Sequence, residues 1–292
     1  MQGSTRSYEM ARRLVERGHS VVMVTSWRQA GEARDWFVTD EDGIEVHWLP
    51  VPYGNEMSYR QRILAFFHFA MGAGRRAAAL SGDVVFATST PLTIALPGAW
   101  AARRGKRPMV FEVRDLWPEM PIAIGALNNP LAVWAGRRLE RFAYRNSKRI
   151  VALSPGMADG VAEAGYPRDK MQVIPNSCDL DLFDPAATGA DFRQQHTELG
   201  SGPIALYAGT IGRINGVEYM AELAAASATL APSARFVVLG SGSEAERVRE
   251  RARELGVLER NFFIYPQLPK ERVVAAFAAA SIVTSWVVDI PE

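Results

Sequence analysis

Apolar runs of strand length alternate with amphipathic helical segments along most of the chain. The first helical segment, 6–17, carries Tyr8, Ala11 and Leu14 on one face, and the apolar run 20–26 follows it. The runs predicted as strands are 20–26, 44–51, 83–89, 108–114, 149–153, 203–209, 234–240, 261–265 and 281–285. Strands separated by helices in this way indicate parallel βαβ units, so the predicted fold class is α/β.

The segment 173–185 separates two similar halves of the chain. It has the pattern of a strand end followed by a proline-bounded turn, and the strand–helix alternation restarts at residue 203. A length of 292 residues suits two domains with separate cores. We therefore predict a first domain at 1–184 and a second at 185–292, with a cleft between them as the natural place for chemistry.

Composition narrows the classes of function. The net charge of +1 gives the chain no overall attraction to nucleic acid. The single cysteine, Cys178, has no internal disulfide partner, which fits a reducing compartment. The N-terminal residues do not resemble a signal peptide, and no apolar run has the length of a transmembrane helix. These features predict a cytoplasmic protein.

Two glycine-containing loops follow predicted strands of the second domain, at 209–216 and 240–244. Ligands of open α/β sheets bind at the carboxyl ends of the strands, where amides at a helix N-terminus can face an anion. The candidate phosphate-contacting residues are Gly209, Thr210, Gly212, Arg213, Gly240 and Gly242. The alternative is that these glycines only permit tight turns. Neither loop has the spacing of a dinucleotide-binding fingerprint.

Two carboxylates follow the predicted strand 108–114. Asp115 and Glu119 flank Trp117-Pro118, and a carboxylate at a strand end can orient or deprotonate an acceptor hydroxyl. They are the candidate catalytic residues. The alternative is a salt-bridged loop packed by Trp117.

The segment 60–76 combines arginines with Phe66, Phe67 and Phe69. As an amphipathic helix it could lie on an anionic membrane surface, with aromatic rings in the interface and arginines on the headgroups. The alternative is a helix that packs its phenylalanines on a sheet and turns its arginines to water.

One short sequence resembles a metal motif. Asp179-Leu-Asp181 is a DxD sequence, but it lies on a turn segment where carboxylates form turn hydrogen bonds. The four histidines are dispersed and lack metal-ligand spacing. We therefore predict no metal and no cofactor.

Several of these segments together resemble the retaining family 4 glycosyltransferases of GT-B architecture, especially the bacterial cell-surface polysaccharide branch. The matching segments, in order, are 17–26, 111–118, 173–183, 207–212 and 238–242. The resemblance implies two Rossmann-like domains with parallel sheets facing a cleft, an acceptor-side first domain and a nucleotide-sugar-binding second domain. In the family, a strand precedes the first helix and an E-x7-E segment follows the region matched here, so we expect this chain to be truncated at both ends.

The resemblance also implies roles for particular residues. A glycine loop before the first helix approaches the donor phosphates, which places Gly3 and Ser4 there. The Arg and Lys that contact pyrophosphate in the family correspond to Thr210 and Asn215, and Arg213 is the candidate substitute.

The expected function is therefore transfer of a sugar from a UDP- or GDP-sugar to an acceptor hydroxyl, with retention of configuration. A glycan or polyprenyl-linked acceptor at the inner face of the cytoplasmic membrane would explain a membrane contact through 60–76. The alternatives are a GT-B sugar-nucleotide epimerase and a non-catalytic nucleotide-sugar-binding fragment.

Overall fold

The computed structural model describes residues 5–27, 35–52, 57, 59–89, 91–123, 125, 127–184 and 186–288. Its helices are α1 Thr5–Glu16, α2 Tyr59–Ala79, α3 Ala95–Gly105, α4 Glu119–Ala123, α5 Pro130–Arg145, α6 Pro155–Glu163, α7 Ala190–Gln195, α8 Glu218–Ala226, α9 Ala245–Glu254 and α10 Lys270–Ala279. Its strands are β1 Val22–Trp27, β2 Phe37–Glu41, β3 Ile44–Pro50, β4 Val85–Thr88, β5 Met109–Val113, β6 Arg149–Ala152, β7 Met171–Val173, β8 Ile204–Ala208, β9 Arg235–Leu239, β10 Phe262–Tyr265 and β11 Ile282–Val283.

The chain divides into two compact units, Met1–Asn176 and Ser177–Glu292. The division falls inside the segment 173–185, before the boundary at 184/185 that the sequence suggested.

The first unit contains two groups of strands. One has the order β1-β3-β2, and the other has the parallel order β4-β5-β6-β7. The core of the second group includes Met109, Phe111 and Ile150, which are fully or almost fully buried. These residues come from continuously apolar strands, as expected when helices cover both faces of a parallel sheet.

The hairpin of β2 and β3 departs from the expected pattern of parallel strands. β2 was not predicted, and it pairs antiparallel with β3. Asp42 and Gly43, the two residues of its turn, both have positive φ, at 56° and 81°. An Asp-Gly pair with positive φ at both positions is typical of a two-residue hairpin turn whose twist matches that of the strands.

The second unit has one parallel sheet with the order β10-β9-β8-β11. Helices α8 and α9 pack on one set of core residues, which includes Met220, Val238 and Val248. A second set packs between the sheet and α10, so both faces of β8 and β9 are covered. β8 and β9 lie in the middle of this sheet, and their carboxyl ends carry the loops 209–216 and 240–244.

Candidate functional site

The loops after β8 and β9 are bonded to each other. The N–H of Ile211 donates to the carbonyl of Ser241 at 3.0 Å, and the N–H of Glu244 donates to the carbonyl of Ile211 at 3.1 Å. The Tyr207 hydroxyl donates to the carbonyl of Thr210 at 2.7 Å and fixes the start of the first loop. The two loops therefore form one surface at the carboxyl end of adjacent parallel strands, where ligands of this sheet type bind.

Close packing of the two loops requires glycine at two positions. A Cβ on Gly240 would lie 1.9 Å from the carbonyl oxygen of Gly209, and a Cβ on Gly242 would lie 2.2 Å from that of Ile211. Both distances are far below van der Waals contact, and the opposing atoms are backbone. Loop packing thus explains these two glycines, for a reason that differs from both the phosphate role and the tight-turn alternative, while contact with a phosphate stays a prediction.

Several amides on this surface lack a hydrogen bond within the described part of the chain. They belong to Thr210, Gly212, Arg213, Ser241, Gly242 and Ser243. The exposed Arg213 side chain forms no ion pair with any described residue, and it opens a short 3-10 turn. Available amides, together with a guanidinium that has no ion-pair partner in the described part of the chain, are the donors that a diphosphate accepts.

The first unit has a buried ion pair at the carboxyl ends of its strands. Arg6, in the first turn of α1, lies 2.9 Å from Glu112 Oε1, and the Glu112 side chain is almost fully buried. Thr88 Oγ1 donates to Glu112 Oε2 at 2.6 Å. Arg6 also donates to the carbonyls of Ile174 and Pro175, both at 2.8 Å. This network joins α1 to the ends of β4 and β5 and to the segment that leaves β7.

Neither Arg6 nor Glu112 was recognised from the sequence. The available signal was Glu112 itself, a carboxylate within the otherwise apolar strand β5. A buried carboxylate needs a partner because desolvation of an unpaired charge is costly.

Asp115 and Glu119 are both exposed on the loop that follows β5. Leu116 and Trp117 pack against the core of the sheet, which leaves Asp115 on the outer side of the loop. Glu119 begins α4 and lies 3.9 Å from Arg137, a loose surface ion pair. The loop is therefore packed by Trp117 and has a salt bridge, as the alternative interpretation described. Its catalytic role stays a prediction.

A buried carboxyl lies within the electrostatic range of Glu119. Burial, and after it the charge of Glu119, raise the pKa of Glu140 to about 7, while a hydrogen bond from Tyr144 opposes the shift. Burial is the largest cause that raises the pKa of Tyr144, and the negative charge of Glu140 is the second. Glu140 lies in α5, so a change in its protonation state affects the stability of the first unit.

The DxD sequence lies on the segment that opens the second unit. The backbone carbonyl of Asp179 accepts hydrogen bonds from Leu182 and Phe183, and its carboxylate lies 3.7 Å from the Lys270 ammonium. Among the described residues, no group of three or more histidine, cysteine, aspartate or glutamate side chains could hold a metal ion. Gly3 and Ser4, the other predicted phosphate contacts, lie outside the described residues.

Helix α2 has two different faces. Phe66 and Phe69 are partly buried and turn toward the strands, as the packing interpretation expected. On the opposite side, Leu64, Phe67 and Met71 are roughly half exposed or more. Exposed Arg60, His68 and Arg75 accompany them, and we call these six residues the outer face of α2. No helix among the described residues is long and apolar enough to cross a membrane.

Two sequence profiles match the chain. The profile described as a glycosyl transferase 4-like domain matches residues 3–177, and the profile described as glycosyl transferases group 1 matches residues 190–285. The first alone spans more than half of the chain. A comparison with curated protein sequences gave no match.

Solved structures share the fold. Sucrose-phosphate synthase from Thermosynechococcus elongatus has a TM-score of 0.73 and 18% identity, over 96% of this chain and 69% of that one. HepE from Anabaena, solved with UDP and glucose, has a TM-score of 0.61 and 14% identity, over 91% and 73%. WaaG, a glycosyltransferase involved in lipopolysaccharide biosynthesis, has a TM-score of 0.63 and 17% identity, over 94% and 68%. The predicted GT-B fold is confirmed.

Proposed function

Because the chain belongs to the family of glycosyl transferase 4-like proteins, we propose that it transfers the sugar of a UDP-sugar to a hydroxyl group. The acceptor in this proposal is a cell-surface glycan or a lipid-linked molecule, and the sugar keeps its configuration. The observation that carries the donor assignment is the paired surface of the loops 209–216 and 240–244, with its available amides and Arg213. UDP as the leaving group is supported by HepE, which was solved with UDP.

In the proposed reaction, the loop surface stabilises the leaving diphosphate. As the bond between the sugar and the β-phosphate breaks, negative charge grows on the phosphate oxygens. Amides already fixed by the hydrogen bonds between Ile211, Ser241 and Glu244 need no reorganisation to receive that charge, and Arg213 adds a charge-assisted hydrogen bond. Since these groups supply donors and a positive charge, the proposal includes no metal and no cofactor.

The acceptor hydroxyl is assigned to the first unit. Asp115 is exposed at the carboxyl end of β5, and its neighbours Leu116 and Trp117 are anchored in the core. A carboxylate held in this way can accept a hydrogen bond from a hydroxyl, keep it oriented and take up its proton as the new bond to the sugar forms. Glu119 is the second candidate for this role.

A membrane contact is assigned to the outer face of α2. Three exposed apolar side chains at positions 64, 67 and 71 form one stripe, and Arg60, His68 and Arg75 lie beside it. This pattern suits a helix lying in the interface of an anionic bilayer. The position would bring the first unit to a lipid-linked acceptor on the inner face of the cytoplasmic membrane, and WaaG, described as acting in lipopolysaccharide biosynthesis, supports an acceptor of this class.

The test is product analysis with the purified chain. It is incubated with a panel of UDP- and GDP-sugars and a membrane extract as acceptor source, and the products are separated by chromatography and examined by NMR. Release of UDP together with an α-linked product from an α-linked donor supports the proposal. An inverted linkage, or a GDP-sugar as the only donor used, contradicts its finer parts.

The same products separate the two rival functions. An epimerase would give an altered nucleotide sugar without an acceptor, and a binding protein would hold UDP-sugar without turnover. Either result would remove the transfer reaction from this chain.

A further inference from the structure

Two adjoining depressions in the first unit lie around the end of α5. One has a volume of about 350 Å³ and is lined by that helix end and by the turn 164–170, between α6 and β7. The other has a volume of about 380 Å³ and lies between the ends of α3 and α5. They share Arg141 and Arg145, and we call the two depressions the basic pockets.

The basic pockets lie at the edge of the sheet where the strands begin. Lys148 and Lys170, which line the first pocket, directly precede β6 and β7. The loop 115–119, which carries the candidate acceptor carboxylates, follows the carboxyl end of β5. Because the strands are parallel, this loop lies at the opposite edge, so the basic pockets are separate from the acceptor loop.

Cations line both pockets, and no carboxylate of the described residues does. The six cations are Arg103, Arg138, Arg141, Arg145, Lys148 and Lys170. Asp169, next to Lys170 in sequence, is exposed and is not part of the lining. A concave surface lined by one sign of charge focuses the electrostatic potential and concentrates ions of the opposite sign.

The six cations differ from arginines elsewhere on the surface of this protein. Arg247 and Arg251 of α9 each lie within 3.4 Å of two glutamates. None of the six cations forms an ion pair with a residue that the structure describes. Arg141 and Arg145 are also one helical turn apart, a spacing at which like charges destabilise a helix. The cluster is therefore unfavourable for the protein alone, and a bound anion would relieve the repulsion.

Stabilisation of the C-terminus of α5 accounts for no more than Arg145. Basic side chains in the last turn of a helix can bond its carbonyls and oppose its dipole. In α5, the side chains of Asn146 and Ser147 already donate to carbonyls of the last turn, both at 2.7 Å. Lys148 and Lys170 lie outside the helix, so another reason is needed for the cluster.

Contacts within the protein hold two of the arginines in place. Arg103 Nη2 donates to Asn146 Oδ1 at 2.7 Å, and Arg103 Cζ lies 5.9 Å from the centroid of the Phe142 ring. Arg138 Cζ lies 5.6 Å from the centroid of the Trp134 ring. These contacts use a guanidinium face or a single N–H, so further N–H groups remain available. A side chain that is already fixed loses less conformational entropy when it binds an anion.

We propose that the basic pockets bind phosphoryl groups, one in each pocket. A phosphoryl group carries about −1.5 to −2 charges at pH 7 and three strong acceptor oxygens, so it can contact several cations at once. Arg141 and Arg145 line both pockets and contact both groups. The phosphoryl groups belong to a soluble oligophosphate or to neighbouring phospholipid headgroups, and the experiment distinguishes these two sources. The proposal does not depend on the proposed function.

The test is an NMR titration of the isotope-labelled protein with inorganic tripolyphosphate. We expect amide shifts in 141–148 and 164–170, whereas shifts in the loops 209–216 and 240–244 report separately on the proposed donor site. Arg145→Gln should weaken binding at the basic pockets by tenfold or more, because hydrogen bonds to a charged group are lost. Arg104→Gln is the matched control, since Arg104 is also an exposed arginine in the last turn of a helix but does not line either pocket. It should change the affinity less than twofold.

Sedimentation with phosphatidylcholine vesicles that contain phosphatidic acid identifies the source of the phosphoryl groups. Binding to these vesicles that Arg145→Gln weakens and Arg104→Gln does not, without binding of tripolyphosphate, would assign phospholipid headgroups. Binding of tripolyphosphate without binding to the vesicles would assign a soluble oligophosphate. Citrate, a multiply charged anion without phosphoryl groups, should bind at least tenfold more weakly than tripolyphosphate.

Three outcomes would overturn the proposal. One is that neither tripolyphosphate nor the vesicles bind at 141–148 and 164–170 in the folded protein. Another is that citrate binds as tightly as tripolyphosphate, which would show a cationic surface without preference for phosphoryl groups. The third is that Arg104→Gln weakens binding as much as Arg145→Gln, with the Tm of both variants unchanged, which would show an effect of net charge alone.

Discussion

Arg6 and Glu112 form an ion pair in which Arg6 Nη2 lies 2.9 Å from Glu112 Oε1, and the Glu112 side chain is almost fully buried. They are 106 positions apart in sequence and join the first turn of α1 to β5. Removing one partner leaves the other charge buried and unpaired. Glu112→Gln should therefore destabilise the protein by about 3–5 kcal/mol, measured by urea unfolding.

An exposed pair provides the control for this substitution. Arg168 and Asp159 lie 2.6 Å apart and are both largely exposed, so Asp159→Asn should cost less than about 1 kcal/mol. The double variant Arg6→Met/Glu112→Gln should lose less stability than the sum of the two single variants. Additive losses would contradict the pairing.

Loop packing in the second unit predicts the effect of adding one methyl group. Gly242→Ala would place a Cβ 2.2 Å from the Ile211 carbonyl and push the loops 209–216 and 240–244 apart. We expect a loss of about 2–4 kcal/mol of stability, in the range of overpacking and strain, and weaker UDP binding.

The matched control lies in α6. Gly156 has open space at its Cβ position and is helical, so Gly156→Ala should be neutral or stabilising by up to about 1 kcal/mol. Equal stability of the Gly242→Ala and Gly156→Ala proteins would show that the loops can separate without cost.

The raised pKa of Glu140 predicts that the free energy of unfolding depends on pH. Its pKa rises from 4.5 to about 7 on folding, mainly because of burial, so the folded state binds more protons than the unfolded state between these values. Stability from this group is therefore present below pH 4.5 and is lost as pH rises through about 7. A shift of this size corresponds to about 3 kcal/mol.

Glu140→Gln should remove that dependence. The variant keeps an acceptor for the Tyr144 hydroxyl, and it should be more stable than the parent at pH 8 and similar to it at pH 4, as measured by urea unfolding at each pH. Glu163→Gln, at an exposed position of α6, is the control and should not change the pH profile. If Glu140→Gln were more stable than the parent by the same amount at pH 4 and at pH 8, titration of Glu140 would be excluded as the cause.

Some parts of this structure could be predicted from the sequence, and others could not. The α/β alternation was predictable because buried parallel strands are continuous apolar runs, and β8 and β9 lie within the predicted runs. The β2–β3 hairpin was missed, although Asp42-Gly43 between alternating residues is a strong turn signal.

The site was less predictable, because its determinants are contacts distant in sequence. The glycines at 240 and 242 were noted as ligand contacts, and only the structure shows that backbone of the neighbouring loop occupies the space of a side chain. The same holds for Glu112, whose partner Arg6 is brought to it by the fold. Sequence spacing carries no information about such pairs.

The outer face of α2 predicts binding to anionic membranes. Replacing Leu64 and Phe67 by serine removes two exposed apolar side chains without disturbing the face that packs on the strands. The affinity for phosphatidylglycerol vesicles, measured by sedimentation, should fall by tenfold or more. Each apolar side chain that is buried in the membrane interface contributes about 1.5–3 kcal/mol to the free energy of binding. Leu230→Ser, at the largely exposed Leu230 of the second unit, is the control and should bind as the parent does. Equal binding of both variants would remove α2 from the membrane contact.

The central claim is that the diphosphate of the donor binds on the loops 209–216 and 240–244. The most direct test is an NMR titration of the isotope-labelled protein with UDP, in which the amide chemical shifts are measured. The account predicts the largest shifts at Thr210, Gly212, Arg213 and the amides of 241–243. It also predicts a loss of about 10- to 100-fold in UDP affinity for Arg213→Ala, the value of a charge-assisted hydrogen bond, while Arg253→Ala has no effect. UDP binding that shifts only amides outside these loops, or that Arg213→Ala leaves unchanged, would contradict the account.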